Sequence, residues 1–271
     1  MREPLRADLQ LHSTASDGLL SPEELVAALR RADVQVAALT DHDTCNGYPA
    51  FAASAAKAGI VPVCGAEIAA DQDGEEVHLL GYFREPPGGR YQELLRRLSD
   101  ERTERAREML RRLRAIGIPL DEREVLGHAQ PGRPHVARAM VRAGAVRDVG
   151  EAFAGYLSPG GPGYVGRYRP EAGAVIRAAH AAGGFVSLAH PMRYRRAPIE
   201  ALAREGIDAV EVVHPSASPR EGQAIAEAAA RFGIPLATGG SDFHGKPDDP
   251  PLGTYVLVGE ALQRILARLG A

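Results

Sequence analysis

The chain of 271 residues is 45% hydrophobic, which suits one large α/β domain or a barrel that carries an insertion. Its formal net charge of −3 argues against stable binding of duplex DNA, since proteins that cover duplex nucleic acid are usually basic, and favours a small or short anionic substrate met by a local basic patch. Neither an apolar signal core at the N-terminus nor an apolar run of membrane length occurs, so a cytoplasmic protein is expected.

Short β-rich runs alternate with helical stretches along most of the chain. The predicted strands cover residues 7–11, 36–40, 61–67, 77–82, 185–189, 209–213, 236–238 and 255–258. The first helix has a clear start, because Ser21 can cap it, Pro22 suits its first turn and Glu24 completes a capping box. Such alternation implies a mostly parallel sheet, and seven or eight units favour a barrel. Cys45 and Cys64 fall near strand ends without metal-type spacing, so both are expected to be buried free thiols.

The alternation stops between about residues 84 and 170. A long helix is predicted over residues 91–116, followed by shorter helices over 122–126, 134–143 and 149–157 and by a loop over 158–163. We interpret residues 84–170 as a helical insertion between two barrel strands. Residues 1–83 and 171–271 would then form the barrel itself.

Acidic and histidine side chains gather where the predicted strands end. They are Asp8, Gln10, His12 and Asp17 at the first strand, Asp41, His42 and Asp43 after the second, Glu67 at the end of the third, His78 in the fourth, His190 after the fifth, and Asp242 and His244 after the seventh. The carboxyl ends of parallel barrel strands share one rim, so these residues are expected to converge there. Imidazoles and carboxylates together suit a cluster of divalent metal ions. Each residue alone could be a histidine packed in the core or an acidic residue in a turn. Six strand ends that all carry such residues are hard to explain by packing, because buried charges need partners and a metal ion supplies them.

Two arginines interrupt an apolar stripe on the long predicted helix. Leu98, Arg102, Arg105 and Met109 share one helical face at spacings of four, three and four residues. The arginine fork matches phosphate oxygens, so the pair is a candidate phosphate site. The helix is rich in arginine, however, and a solvated face explains the same spacing.

Six segments of the chain resemble, in order and spacing, the polymerase and histidinol phosphatase (PHP) superfamily. They read DLQLHSTASDG, LTDHDT, GAEI, VHLLGYF, LAHP and GSDFHG. Three segments of the proposed insertion, ERTERARE, GRPHVAR and YLSPGGPGYV, resemble the branch that contains 3′,5′-nucleoside bisphosphate phosphatases and 5′→3′ exoribonucleases. The resemblance implies a distorted (β/α)7 TIM-like barrel with a helical insertion that contributes to the substrate pocket. It also implies two or three divalent ions at the rim, of Mn²⁺, Zn²⁺, Fe²⁺ or Mg²⁺.

The resemblance implies three overlapping sets of metal ligands. They are Gln10, His12, Glu67 and Asp242; Glu67, His78 and His190; and Asp17, His42 and His244. The chain departs from the family pattern at Gln10, where the first motif normally has histidine. A carboxamide is a weaker donor than imidazole toward late transition metals, so this site is expected to bind weakly, to select a harder ion or to be empty. Asp8 is expected to accept hydrogen bonds behind the ligands rather than to bind metal.

The same resemblance implies substrate contacts at Arg102, Arg105 and His135, with Arg133 as a weaker candidate. Two further rim residues, Glu211 and His214, are expected behind the ligands or in the substrate pocket. The remaining histidines, His128 and His180, are expected to be structural or exposed.

The implied activity is hydrolysis of a nucleotide phosphomonoester, namely the 3′-phosphate of a 3′,5′-nucleoside bisphosphate. The residues expected to carry the chemistry are His42, Glu67, Asp242 and His244. A 5′→3′ exonuclease on short RNA or single-stranded DNA is the enzymatic alternative. A catalytically weak nucleotide-binding domain is the alternative of another class, which only Gln10 favours. The expected partner is a small nucleotide or short oligonucleotide, with no membrane, for a monomer or small homo-oligomer.

Overall fold

The computed structural model describes residues 4–194 and 198–270, and these residues form one eight-stranded sheet with helices around it. The strands are β1 (Arg6–Leu11), β2 (Val36–Leu39), β3 (Val61–Gln72), β4 (Glu75–Phe83), β5 (Phe185–Leu188), β6 (Ala209–Val213), β7 (Leu236–Gly239) and β8 (Leu257–Val258). Their order in the sheet is β7-β6-β5-β4-β3-β2-β1-β8. All eight predicted strands are therefore present, although β8 is two residues shorter than predicted.

The sheet curls until its first and seventh strands meet at the rim. Leu11 at the end of β1 bridges Phe243 beyond β7, and the backbone N–H of His12 donates to the Phe243 carbonyl at 2.9 Å. The predicted TIM-like barrel is thus confirmed. The parallel pairs are β1–β2, β2–β3, β5–β6 and β6–β7. β4 runs antiparallel to both its neighbours and β8 runs antiparallel to β1, so two strands depart from the predicted parallel direction.

The third and fourth strands form a hairpin instead of a strand–helix unit. Their pairing runs from Cys64 opposite Phe83 to Gln72 opposite Glu75. The turn residues Asp73 and Gly74 both have positive φ, 53° and 86°, as a two-residue hairpin turn requires. β3 consequently extends five residues beyond Glu67, which lies within the strand and not at its end as predicted.

Ten α-helices are described. They are α1 (Pro22–Arg31), α2 (Tyr48–Ala58), α3 (Gly89–Ala115), α4 (Glu122–Leu126), α5 (Arg133–Arg142), α6 (Val149–Ala152), α7 (Ala172–Ala181), α8 (Ile199–Arg204), α9 (Pro219–Arg231) and α10 (Gly259–Leu269). The predicted capping box of α1 is confirmed, because Ser21 and Glu24 exchange hydrogen bonds of 3.2 and 2.8 Å. The helix predicted over residues 149–157 divides into α6 and a π-helical turn, Phe153–Leu157. No helix among the described residues is both long enough and apolar enough to span a membrane.

Helices α3 to α6 pack on one another around an apolar cluster separate from those of the barrel. Met109 and Leu113 of α3 are fully buried in it against Val136 and Met140 of α5. The chain then returns beside the β3–β4 hairpin, where the Asp71 N–H donates to the Pro170 carbonyl at 2.8 Å. This return holds the helical segment next to the rim at which β3 and β4 present their polar side chains.

Candidate metal and phosphate site

The side chains predicted at the strand ends converge on the rim of the barrel. Three groups have ligand atoms that all lie within 4.8 Å of one another, and we number them as clusters. Cluster 1 is His12, Glu67 and Asp242; cluster 2 is Glu67, His78 and His190; cluster 3 is His12, Asp17, His42 and His244. The structure thus brings together the predicted sets, and it adds His12 to the third of them.

Glu67 joins the first two clusters through its two carboxylate oxygens. Oε1 lies 2.6 Å from His78 Nδ1 and 3.2 Å from His190 Nε2. Oε2 lies 3.0 Å from His12 Nε2, which in turn lies 3.3 Å from Asp242 Oδ1. β4 reaches this point with its amino-terminal half because it runs antiparallel, so His78 meets the rim from within its strand.

The third cluster is built by the loops that follow β1, β2 and β7. Asp17 Oδ1 lies 3.4 Å from His244 Nε2 and 3.9 Å from His42 Nε2. The ring of His244 stacks on that of His12 at 4.1 Å. Asp41 ties the first two loops together, because its carboxylate accepts from Ser13 and Ser16; the distances are 2.7 Å from each Ser13 donor and 2.6 Å from the Ser16 hydroxyl.

The donor atoms of these clusters fit divalent cations better than they fit one another. His12 Nε2 is within 3.3 Å of two carboxylates but is not aligned for a hydrogen bond to either. Other buried atoms here also lack hydrogen-bond partners in the described chain: His12 Nδ1, Asp17 Oδ1, His42 Nδ1 and His190 Nδ1. Buried polar atoms normally have partners, and a bound cation would satisfy several of these at once. The mixture of imidazoles and carboxylates suits Zn²⁺, Mn²⁺ or Fe²⁺.

The electrostatics of the rim keep its acids charged and one of its histidines neutral. Burial alone would raise the pKa of Glu67, but its close contacts with the imidazoles of His42, His12, His190 and His78 hold it well below its usual range. Burial would also raise the pKa of Asp242, but the nearby imidazoles of His12 and His214 hold it well below its usual range. Burial lowers the pKa of His42 to about 3. Anionic oxygens and a neutral imidazole are the forms that bind metal.

Two residues behind the ligands are fully buried in the positions predicted for them. Asp8 accepts from the Ser241 hydroxyl at 2.6 Å, from the Ser241 N–H at 3.0 Å and from the Gln10 N–H at 3.3 Å. The expectation that Asp8 accepts hydrogen bonds is therefore confirmed. His214 accepts from the Ser216 N–H at 2.9 Å through Nδ1, so Nε2 carries the proton and lies 3.6 Å from Asp242 Oδ2.

The two predicted arginines lie on the inner face of α3, beside the second loop of the rim. Arg102 pairs through Nε with Asp43, whose side chain is 3% exposed, while its Nη2 is buried without a partner in the described chain. Arg105 donates from Nε to the Val165 carbonyl at 2.8 Å. Burial lowers the pKa of Arg105 to about 10, helped by the fields of Arg133 and Arg167. Guanidinium groups this close together favour an anion between them.

His135 is held as a neutral donor at the start of α5. The Gly132 N–H donates to its Nδ1 at 3.2 Å, so Nε2 must carry the proton. Burial, with the field of His128, lowers the pKa of His135 to about 3. His135 is close enough to both Arg102 and Asp17 for their charges to act on its pKa.

Two further arginines belong to this region and were missed from the sequence. Arg167 lines a small cleft together with Arg102, Arg105 and Asp43. No carboxylate of the described residues lies within 4 Å of its guanidinium, whereas Arg169 two positions on pairs with both Asp71 and Glu76 at 3.1 Å. Arg167 lies in neither a helix nor a strand, so no periodic sequence pattern identifies it. Arg138 follows His135 by one helical turn of α5 and is close enough to Asp17 for that carboxylate to act on its pKa.

The remaining histidine predictions hold. His128 is exposed, and the centre of its ring lies 3.9 Å from that of His135. His180 lies far from the rim and bonds to Asp208 through Nε2 at 2.7 Å. Of the cysteines, Cys64 is a buried free thiol as predicted, while Cys45 is only half-buried.

A cavity of about 410 Å³ is lined by the metal ligands. Its inner wall is formed by the ligands His42, Glu67, His78, His190, Asp242 and His244. Its outer wall includes Arg193 and Lys246, and Arg193 lies 3.1 Å from Asp242 Oδ2. The candidate centre therefore opens into this cavity.

A barrel with overlapping His, Asp and Glu clusters at its rim defines a metal-dependent hydrolase. The family model of the PHP domain matches residues 8–123. The chain is 34% identical over 245 residues to a 5′-3′ exoribonuclease of Haemophilus influenzae, covering 88% of this chain and 89% of that protein. It is also 34% identical over 252 residues to a 3′,5′-nucleoside bisphosphate phosphatase of Chromobacterium violaceum, covering 88% and 86%. The crystal structure of a candidate metal-dependent phosphoesterase from Bifidobacterium adolescentis superposes with a TM-score of 0.86 at 31% identity, covering 97% and 96%. The chain thus belongs to the PHP family and is a metal-dependent phosphoesterase.

Proposed function

We propose that this chain removes the 3′-phosphate from a 3′,5′-nucleoside bisphosphate. The observation that carries the proposal is the pairing of two anion-binding regions, the ligand clusters at the rim and the arginine cleft beside them. Asp43 and His42 are consecutive residues, so Arg102, which pairs with Asp43, borders the clusters directly. A substrate with one phosphate in each region would have two phosphates on one small molecule. The similarity to the Chromobacterium violaceum phosphatase supports this choice of substrate.

The helical segment of residues 84–170 supplies one half of the proposed substrate pocket. Arg102 and Arg105 come from α3, His135 comes from α5, and Arg167 comes from the chain that leads back to the barrel. The barrel supplies the other half, namely the ligand clusters. We propose that the segment is a substrate-recognition insertion in the barrel of residues 1–83 and 171–271.

The proposed ligands are the residues of the three clusters together with Gln10. Together these side chains would hold two or three divalent ions. Such ions, when bound, polarise phosphate oxygens, lower the pKa of water and stabilise the leaving oxygen. Arg102 and Arg105 would neutralise and orient the second phosphate through charge-assisted hydrogen bonds. His135 would donate its Nε2 proton to a phosphate oxygen as a neutral group. His42, which its low pKa keeps neutral, would serve cluster 3 as a ligand, and His244 would deliver a proton to the leaving oxygen.

A 5′→3′ exonuclease acting on short RNA is a second candidate function. The observation that favours it is the 410 Å³ cavity, whose outer wall includes Arg193 and Lys246. These cations would contact phosphates of a chain that continues beyond the scissile bond. The similarity to the Haemophilus influenzae exoribonuclease supports this alternative.

A comparison of substrates tests the proposal. Adenosine 3′,5′-bisphosphate, 3′-AMP, 5′-AMP and a 5′-phosphorylated RNA hexamer would each be supplied to the purified protein with Mn²⁺. We expect release of phosphate from the bisphosphate at a catalytic efficiency roughly ten- to a hundred-fold above that for 3′-AMP, since the second phosphate adds about 1.5–3 kcal/mol of charged hydrogen bonding. Faster release of mononucleotides from the hexamer would favour the exonuclease instead.

A metal control belongs to the same experiment. EDTA should abolish phosphate release and Mn²⁺ should restore it, because the proposed ligands hold the ions that activate water. Elemental analysis must confirm that EDTA removed the metal. Full turnover by verified metal-free protein would contradict the mechanism, and a metal-loaded protein that hydrolyses none of the four substrates would return the chain to a binding role.

A further inference from the structure

Glu211 of β6 is a fully buried carboxylate that belongs to none of the three clusters. Its Oε2 accepts from the backbone N–H of His190 at 2.8 Å. His190 has a left-handed backbone, with φ of 33° and ψ of 54°, which is costly for a residue other than glycine. Glu211 therefore stabilises the conformation in which the imidazole of His190 reaches cluster 2.

The same carboxylate faces the side chain of Gln10. The Gln10 amide has two orientations that exchange its nitrogen and oxygen. In one, the nitrogen lies 3.3 Å from Glu67 Oε2. In the other, it donates to both oxygens of Glu211, at 2.9 and 3.0 Å. The second orientation makes two shorter hydrogen bonds in place of one long one, so it is the better satisfied.

The second orientation also turns the Gln10 oxygen toward Glu67. This oxygen then takes the place 3.3 Å from Glu67 Oε2, close to His12 Nε2 of cluster 1. Two acceptor oxygens at this separation repel each other unless a cation lies between them. The orientation set by Glu211 is thus the one in which Gln10 completes cluster 1 as an oxygen ligand.

We propose that Glu211 is the positioning residue that makes Gln10 a metal ligand. The inference rests on the proposed metal site at cluster 1. An amide presents nitrogen and oxygen with nearly the same shape, so its hydrogen-bond partner sets which atom faces the site before the ion binds. Both oxygens of Glu211 lie within hydrogen-bond distance of the amide nitrogen in the second orientation, so the nitrogen is held there and the oxygen is left for the ion. Hydrogen-bond partners of metal ligands commonly fix ligand orientation in this way.

The substitution Glu211→Gln tests this with almost no change of volume. Its amide oxygen can still accept from the His190 N–H, but its nitrogen then faces the nitrogen of Gln10. Two donors oppose each other, so the Gln10 amide should turn and present its nitrogen to the ion. We expect the metal affinity of cluster 1 to fall about ten- to a hundred-fold and metal content to fall by one ion per chain at limiting metal. Asp208→Asn, which removes a carboxylate just before β6 and away from the rim, is the matched control and should bind metal as wild type does.

A charge-conserving exchange separates positioning from a structural role. In the double variant Gln10→Glu with Glu211→Gln, the new amide nitrogen donates to one carboxylate oxygen and the other oxygen remains for the ion. Metal affinity should return to within about threefold of wild type, by calorimetric titration with Mn²⁺. Recovery would support the proposal, whereas affinity as low as that of Glu211→Gln alone would overturn it.

A crystal structure of the wild-type protein with Mn²⁺ decides the matter even if the variants fold poorly. The proposal requires the Gln10 oxygen on the ion and its nitrogen within 3.5 Å of Glu211; any other arrangement overturns it. Unchanged metal affinity in a folded Glu211→Gln variant would also overturn it, while leaving the proposed function intact. A wild type that binds no metal and hydrolyses no phosphate ester would instead reject the function.

Discussion

Replacing Arg102 by alanine should damage both the stability and the activity of the protein. Arg102 is the only cation within 4 Å of Asp43 among the described residues, and both side chains are largely buried. Removal of one partner of a buried ion pair leaves an uncompensated charge, which typically costs about 3–5 kcal/mol. At about 2–4 °C per kcal/mol for a chain of this size, the melting temperature should fall by roughly 6–20 °C. Arg105→Ala is the matched control, since Arg105 bonds to a backbone carbonyl and should cost much less stability.

The double variant Arg102→Ala with Asp43→Asn separates the two effects. It leaves no unpaired charge, so most of the lost stability should return in a thermal denaturation scan. Catalytic efficiency on adenosine 3′,5′-bisphosphate should remain roughly ten- to a hundred-fold below wild type, because the phosphate contact is still missing. The reasoning is wrong if Arg102→Ala melts within 2 °C of wild type, on the order of 0.5 kcal/mol, or if the second substitution restores activity along with stability.

Three further predictions concern the metal ligands and His135. Glu67→Ala should lose more metal per chain than His12→Ala, because it removes an anion with two ligand oxygens, one in cluster 1 and one in cluster 2, whereas His12→Ala removes a single imidazole; elemental analysis that finds full occupancy in Glu67→Ala would make this carboxylate structural. Gln10→His should bind late transition metals more tightly and reach full activity at lower metal; coincident metal titrations of the variant and wild type would reject a weakened site. The pKa of His135 falls from 6.5 in the unfolded chain to about 3 in the folded one, so the stability it contributes is complete above pH 6.5 and is lost as pH falls below that value. Urea denaturation between pH 6.5 and 5 should therefore depend less steeply on pH for His135→Gln, by up to about 1.4 kcal/mol per pH unit, and equal slopes would show that His135 is readily protonated in the fold.

The barrel and the positions of its polar residues could be predicted because each rested on a local pattern. Buried strands showed as short apolar runs, and a ligand-type side chain followed most of them. The parallel-strand rule then brought residues as distant as His12 and Asp242 to one rim without knowledge of the packing. The resemblance to the PHP family supplied the grouping of these residues, which spacing alone could not give.

The structure departs from the prediction where it depends on the direction of a strand or on a contact between residues far apart in the sequence. The hairpin turn at Asp73 and Gly74 reverses β4, and an apolar run reads the same in either direction. Arg167 has no periodic neighbours, and only the return of the chain beside the hairpin brings it to the arginine cleft. Arg102 of α3 pairs with Asp43 in the loop after β2. The two residues are fifty-nine positions apart, so no local sequence pattern predicts their contact.

The backbone at the rim shows why the ligands cannot be placed from sequence alone. Asp43, His190 and Asp242 follow three different strands, and all have positive φ, at 57°, 33° and 52°. Such conformations cost of order 1–3 kcal/mol each in residues other than glycine, and they persist only where surrounding contacts compensate. For His190 the compensating contact is the hydrogen bond to Glu211. Glycine at these positions would relieve the strain, but it would remove the carboxylates and the imidazole, so strained backbone is retained where the chemistry requires a side chain.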